Sequence, residues 1–165
     1  MKTILKEEGF PLDIRKTYLA MIEDSSGSAM FRKLFVSRQD GPYDVIGNGD
    51  LACAFFVSSI LALCQLTRDG VHTTVDETIR DMMESGWYEV KEKQVGAVVV
   101  WGLKLSDTDG LMHRHIGFCM GEVLAVSTNS KRRSPQIHLL EGLLTETGKP
   151  RGVQAYYMHP SLVAA

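Results

Sequence analysis

The feature that most constrains this chain is a change of period near residue 87. Before it, apolar residues recur at helical spacing. After it, short apolar runs are separated by glycine-containing turns. Leu12, Ile14, Tyr18, Leu19, Met21 and Ile22 predict a short amphipathic helix over residues 11–23, stopped by the Asp24–Ser28 loop. The run from Leu51 to Leu66 predicts a second helix from about Asp50, with Val57, Ile60, Leu61 and Cys64 on its inward stripe. Asp50 reads as its N-cap, which puts Cys53 in the first turn. A third helix has Thr74 as cap, Glu77 as capping-box partner and Gly86 as terminator. Strands are expected over 88–91, 97–103, 115–120, 123–128 and 154–158. Residues 29–36 fit strand or helix equally, and 39–49 read as a loop. Helices followed by antiparallel strands describe an α+β domain, with N-terminal helices packed on an antiparallel sheet.

At 165 residues one domain is expected over 1–165, with residues 1–40 an unassigned N-terminal extension of it. The net charge is -2, so no surplus of positive charge points to nucleic acid. The one basic cluster, Lys131-Arg132-Arg133, reads as a solvated turn tip or a contact to an acidic partner. The N-terminus develops no apolar core of a leader peptide, so a cytoplasmic location is expected, with export by another route left open. Ser58, Ser59 and Gln65 interrupt the longest apolar run, so no membrane span is expected. Cys53, Cys64 and Cys119 are too few and too scattered for a disulfide framework, and no CxxC pair suggests a metal. No cofactor is expected, and the oligomeric state is left open.

The chemistry concentrates on Cys53. It follows a Gly47-Asn48-Gly49 loop and opens a helix, whose dipole favours the thiolate. Free cysteine also packs as a small hydrophobe, which is the competing reading and the preferred one for Cys64 and Cys119. His115 begins a strand and is a candidate base for Cys53. Gly117, two residues on, leaves room for another backbone to approach. His113 shares the face of His115, but one thiol completes no zinc set. His72 and His159 read as surface residues. A base needs an orienting group on its far nitrogen. In a hairpin turning at Gly121-Glu122, Ser127 and Asn129 return past His115, and either can serve; His138 is a further candidate.

Tyr43 through Val57, Gly96 to Trp101 and the stretch His115-Ile116-Gly117-Phe118-Cys119-Met120-Gly121 together resemble the NlpC-type family of papain-like cysteine peptidases. That family cleaves peptides and amides of the bacterial cell wall. The likeness spans roughly residues 40–130. It implies a papain-like fold, Cys53 as nucleophile, His115 as its base in a thiolate–imidazolium pair, and a peptide or peptidoglycan-fragment substrate. The third catalytic position aligns with Ser127. Tyr43 supplies a second oxyanion donor or lines the cleft, by the same resemblance. The chain departs from the family pattern at Ala52, where an Asp is usual, and at Ala54-Phe55, where Ser-Gly is usual. Two other readings stay open: an acyltransferase or transglutaminase-like enzyme using the same acyl-enzyme, and a peptide-binding module that has lost the chemistry.

Overall fold

A computed structural model describes residues 12–107 and 109–163. Its elements are α1 (Ile14–Asp24), β1 (Phe35–Arg38), β2 (Gly41–Asp44), α2 (Cys53–Leu63), α3 (Val75–Glu84), β3 (Tyr88–Val90), β4 (Val98–Leu105), β5 (Met112–Cys119), β6 (Leu124–Asn129), β7 (Ser134–Leu139) and β8 (Val153–Met158), closed by a 3-10 turn (Pro160–Leu162). The protein is α+β. Six strands form an antiparallel sheet in the order β3-β8-β4-β5-β6-β7, and β1 and β2 form a separate hairpin. Among the described residues, no helix is long and apolar enough to cross a membrane. The N-terminal residues read above for a leader peptide lie outside the described residues.

Two helices start as their caps dictate. The Asp13 carboxylate accepts the Lys16 N–H at 2.9 Å and opens α1. Thr74 accepts the Glu77 N–H at 3.2 Å and opens α3, and its hydroxyl also meets the Glu77 carboxylate at 2.9 Å. Tyr18 and Ile22 of α1 are buried, and the Tyr18 hydroxyl donates to the Gly96 carbonyl at 2.8 Å, so this helix is part of the core. An aromatic chain joins the layers. Phe56 of α2 meets Phe118 of β5 edge-on at 5.4 Å, while Tyr18 and Phe31 close on them at 5.7 and 4.9 Å. That cluster presses the first turns of α2 against β5.

Several expectations need correction. The second helix begins at Cys53, not Asp50, and its cap position is Ala52, which offers no side-chain acceptor. The reason is local: Asp50 and Leu51 are spent in a turn, with Leu51 N–H donating to the Ile46 carbonyl at 3.1 Å. The helix is also buried nearly all round. Ser58 is fully buried and its hydroxyl accepts the His72 N–H at 2.8 Å. His72 is therefore no surface residue, and its Nε2 lies 2.8 Å from the buried Asp81 carboxylate. β7 runs through residues that carried no strand expectation, and part of 39–49 is β2 rather than loop.

Candidate active site

The approach to Cys53 is built by Asp44. Its carboxylate accepts the N–H groups of Leu34 (3.1 Å), Ile46 (3.3 Å) and Asn48 (2.7 Å), which ties the glycine loop to the β1–β2 hairpin. Burial raises the Asp44 pKa, but those three donors outweigh it and leave it lowered. Gly49 adopts φ +95°, and a Cβ there would meet Arg133 at 3.1 Å. The loop is thus seated on the β6–β7 turn that carries the basic cluster, whose tip is a structural contact as well as a charged one.

Cys53 is the first residue of α2 and is half-buried, whereas Cys64 and Cys119 are buried. With no side chain capping the helix, the N–H groups of Cys53 and Ala54 lie against the Cys53 sulfur, as does the Ile116 N–H of β5. The sulfur is therefore beside the His115–Ile116 peptide. Burial pushes the thiol pKa up, and the three N–H donors and the Arg151 guanidinium offset this only in part. Burial alone carries Cys64 to about 11, and burial carries Cys119 to about 12.

His115 heads a hydrogen-bonded relay whose tautomers follow from its far end. His138 Nδ1 lies 2.8 Å from the Leu139 carbonyl, which only accepts, so Nδ1 carries the proton. His138 Nε2 then accepts from the Ser127 hydroxyl at 2.8 Å. The Ser127 oxygen in turn accepts the Nε2–H of His115 at 2.9 Å. This leaves the lone pair of His115 on Nδ1, the protonation state a base needs. The fully buried Trp101 underlies both rings, 5.5 Å from His115 and 5.6 Å from His138. Its indole N–H is anchored on the Leu140 carbonyl at 2.9 Å. Burial first, then the Coulombic influence of Arg151, of His138 when protonated and of Lys104, lower the His115 pKa to about 3. Both shifts favour the uncharged forms, a thiol and a neutral imidazole, over the expected thiolate–imidazolium pair. Among the described residues no carboxylate backs the imidazole, only the Ser127 hydroxyl dipole.

Cys53 and His115 line one open cleft of about 600 Å³. Arg151, Lys104, Thr128 and Asn129 also line it, with apolar walls from Leu103, Leu105, Met112 and Leu143. Asn129 is not the orienting residue: its side-chain oxygen accepts the Arg132 N–H at 3.0 Å and closes the β6–β7 turn. Tyr43 lies outside the cleft lining, half-exposed on β2, with the Arg38 guanidinium stacked 3.5 Å above its ring. His113 also lines the cleft, where its Nε2 pairs with Asp109. Among the described residues no group of three or more His, Cys, Asp and Glu is arranged to hold a metal ion.

Sequence reasoning brought Cys53, His115 and Ser127 forward, left His138 in reserve, and missed Trp101 and Arg151. A tryptophan in an apolar run signals only core, and an arginine beside a proline signals only a loop. The relay makes a prediction. Ser127→Ala leaves two half-buried imidazole nitrogens without this partner and frees the His115 tautomer, which costs about 1–3 kcal/mol. Turnover should fall roughly 10- to 100-fold, with the His115 tautomer change visible by nitrogen-15 NMR. Unchanged nitrogen shifts would remove Ser127 from the relay. No family model and no curated protein matches the chain.

Proposed function

We propose that this protein is a papain-like thiol hydrolase that opens an amide or peptide bond through an acyl-enzyme on Cys53, with peptides of the peptidoglycan type as its substrates. The observation that carries the reading is the pairing of a helix-opening sulfur with an imidazole in one cleft, the imidazole held by Ser127 so that Nδ1 is its free basic nitrogen. Proton inventory follows from the neutral resting pair. His115 Nδ1 takes the thiol proton as sulfur attacks the carbonyl carbon. The developing oxyanion is met by the uncapped N–H groups at the start of α2. His115 then returns the proton to the leaving amine, and water, deprotonated by His115, releases the acid and restores the thiol. A neutral base at rest needs no prior ionisation. An imidazolium unsupported by a carboxylate gives its proton up readily.

The test is mass spectrometry of the intact protein with activated acyl thioesters, followed by peptidoglycan-derived peptides. An acyl adduct confined to Cys53 that decays to free acid is the expected result. An adduct that passes to added amines instead makes the enzyme an acyltransferase. Peptide binding with no adduct at any pH makes the protein a binding module and ends the hydrolase reading.

The pH dependence has a definite sign. The thiol lies above its ordinary value and His115 stays neutral down to about 3. Alkylation of Cys53 by iodoacetamide should therefore climb about tenfold per pH unit from 6 through 9, as the thiolate fraction grows. A plateau between pH 5 and 7 would instead mean a preformed thiolate–imidazolium pair.

A further inference from the structure

Arg151 is a strongly basic group of the cleft that strand carbonyls hold against the strand bearing His115. It sits just ahead of β8. Its Nε donates to the Gly102 carbonyl at 2.6 Å and its Nη2 to the His113 carbonyl, so two neighbouring strands pin the guanidinium. Those bonds use two of the five N–H donors that the group carries. It is half-buried and forms no ion pair with a carboxylate among the described residues. The other arginine of the cleft, Arg114, is already paired with Asp76. The groups whose negative charge would act on Arg151 are Cys53, once ionised, and the exposed Glu146. A half-desolvated cation without a counter-ion is costly to keep, and a fixed planar fork is the shape that binds a carboxylate through paired hydrogen bonds. It shares the cleft with the nucleophile, whose lining is mixed: Leu103, Leu105, Met112 and Leu143 are apolar, while the carboxylates Asp50 and Asp107 belong to it as well.

We infer that Arg151 binds a carboxylate of the substrate close to the scissile carbonyl, making the enzyme selective for acidic acyl donors. This rests on the thiol-hydrolase reading. An incoming carboxylate replaces water on the open side of the guanidinium, and the strand carbonyls keep the fork aimed. The selectivity lies in the acyl-enzyme step, in which the Cys53 sulfur bonds to the carbonyl carbon. The leaving thiol of a thioester probe departs with the Cys53 proton.

The experiment uses matched thioesters of succinate, glutarate and adipate and their terminal carboxamide counterparts. The acylation rate of Cys53 is read by intact mass. The wild-type protein should prefer the acid over the amide by roughly 10- to 100-fold at the best chain length, the range of a charge-assisted hydrogen bond. Arg151→Gln should collapse that ratio towards one, and Arg151→Lys should restore only part of it, because a point charge lacks the fork. Should either variant fold poorly, protection of wild-type Cys53 from iodoacetamide by free glutarate, and not by glutaramide, reads the same site. Equal rates for acids and amides on wild-type Cys53, with no protection by glutarate, overturn the inference while leaving the hydrolase reading standing. No acylation by any thioester defeats the hydrolase reading instead. A fall of Arg151→Gln on acid and amide alike, with the ratio kept, overturns the inference by reducing Arg151 to a thiolate counter-charge.

Discussion

Cys53→Ala should lower hydrolysis of any accepted amide by at least about 10⁴-fold, since loss of the nucleophile leaves only binding and oxyanion stabilisation. The fold should survive. Cys53 is half-buried at a helix start, so removing its sulfur opens little cavity, and the melting temperature should move by only a few degrees. Cys119 provides the contrast. It is fully buried between paired strands and its thiol is pushed to about 12, so Cys119→Ala should cost stability and leave the chemistry intact. The two variants together separate a nucleophile from a packed thiol, which is the ambiguity that any lone cysteine on an apolar helix presents. Full hydrolytic activity in purified Cys53→Ala protein would exclude the mechanism. Stopped assays with product identified by mass spectrometry, beside thermal melts of each variant, are sufficient to decide.

How much of this was legible beforehand depended on whether the signal was local. Thr74 and Glu77 are three residues apart, and the cap they predicted is present. Strands β3 to β6 and β8 were found within a few residues of their bounds because apolar runs and glycine turns mark them. β7 was missed because Pro135 lies inside it, and proline argues against a strand unless the strand is at an edge. β7 is at the edge of the sheet, beside β6 alone. The β1–β2 hairpin buries almost nothing, so no apolar pattern announces it. Asp50 failed as a cap because the turn held by Asp44 consumes it, a contact between residues that no capping rule links. In the site, Cys53, His115 and Ser127 were readable from helix start and hairpin register. Trp101 and Arg151 act through strand neighbours 14 to 49 positions away in sequence, the indole beside His115 and the guanidinium on Gly102 and His113. Such pairings exist only once the sheet has closed.

Gly117 is where sheet closure and chemistry meet. A Cβ at this position would lie 2.5 Å from the Val126 carbonyl oxygen, 2.8 Å from the Ser127 Cβ and 3.2 Å from Trp101. The first obstacle is backbone, which has no rotamer to escape into, so the strands themselves must part. β5 and β6 pair only at Phe118 with Val126 and Cys119 with Ala125, so the parting falls at the point where Ser127 reaches His115. Gly117→Ala should therefore destabilise by about 3 kcal/mol, the upper part of the range for overpacked cores. That corresponds to a melting temperature roughly 6–12 °C lower for a chain of this size. The surviving folded fraction should also turn over more slowly than Ser127→Ala, because the shift moves Ser127 away from His115 and disturbs the Trp101 floor under both imidazoles. Gly121→Ala is the control in the adjoining turn. Nothing lies within 4 Å of a Cβ there, so its melt should stay within about 0.5 kcal/mol of wild type. If Gly117→Ala melts alongside Gly121→Ala, β5 and β6 do not approach as closely as described, and the hydrogen bond that fixes the His115 tautomer loses its structural basis with them.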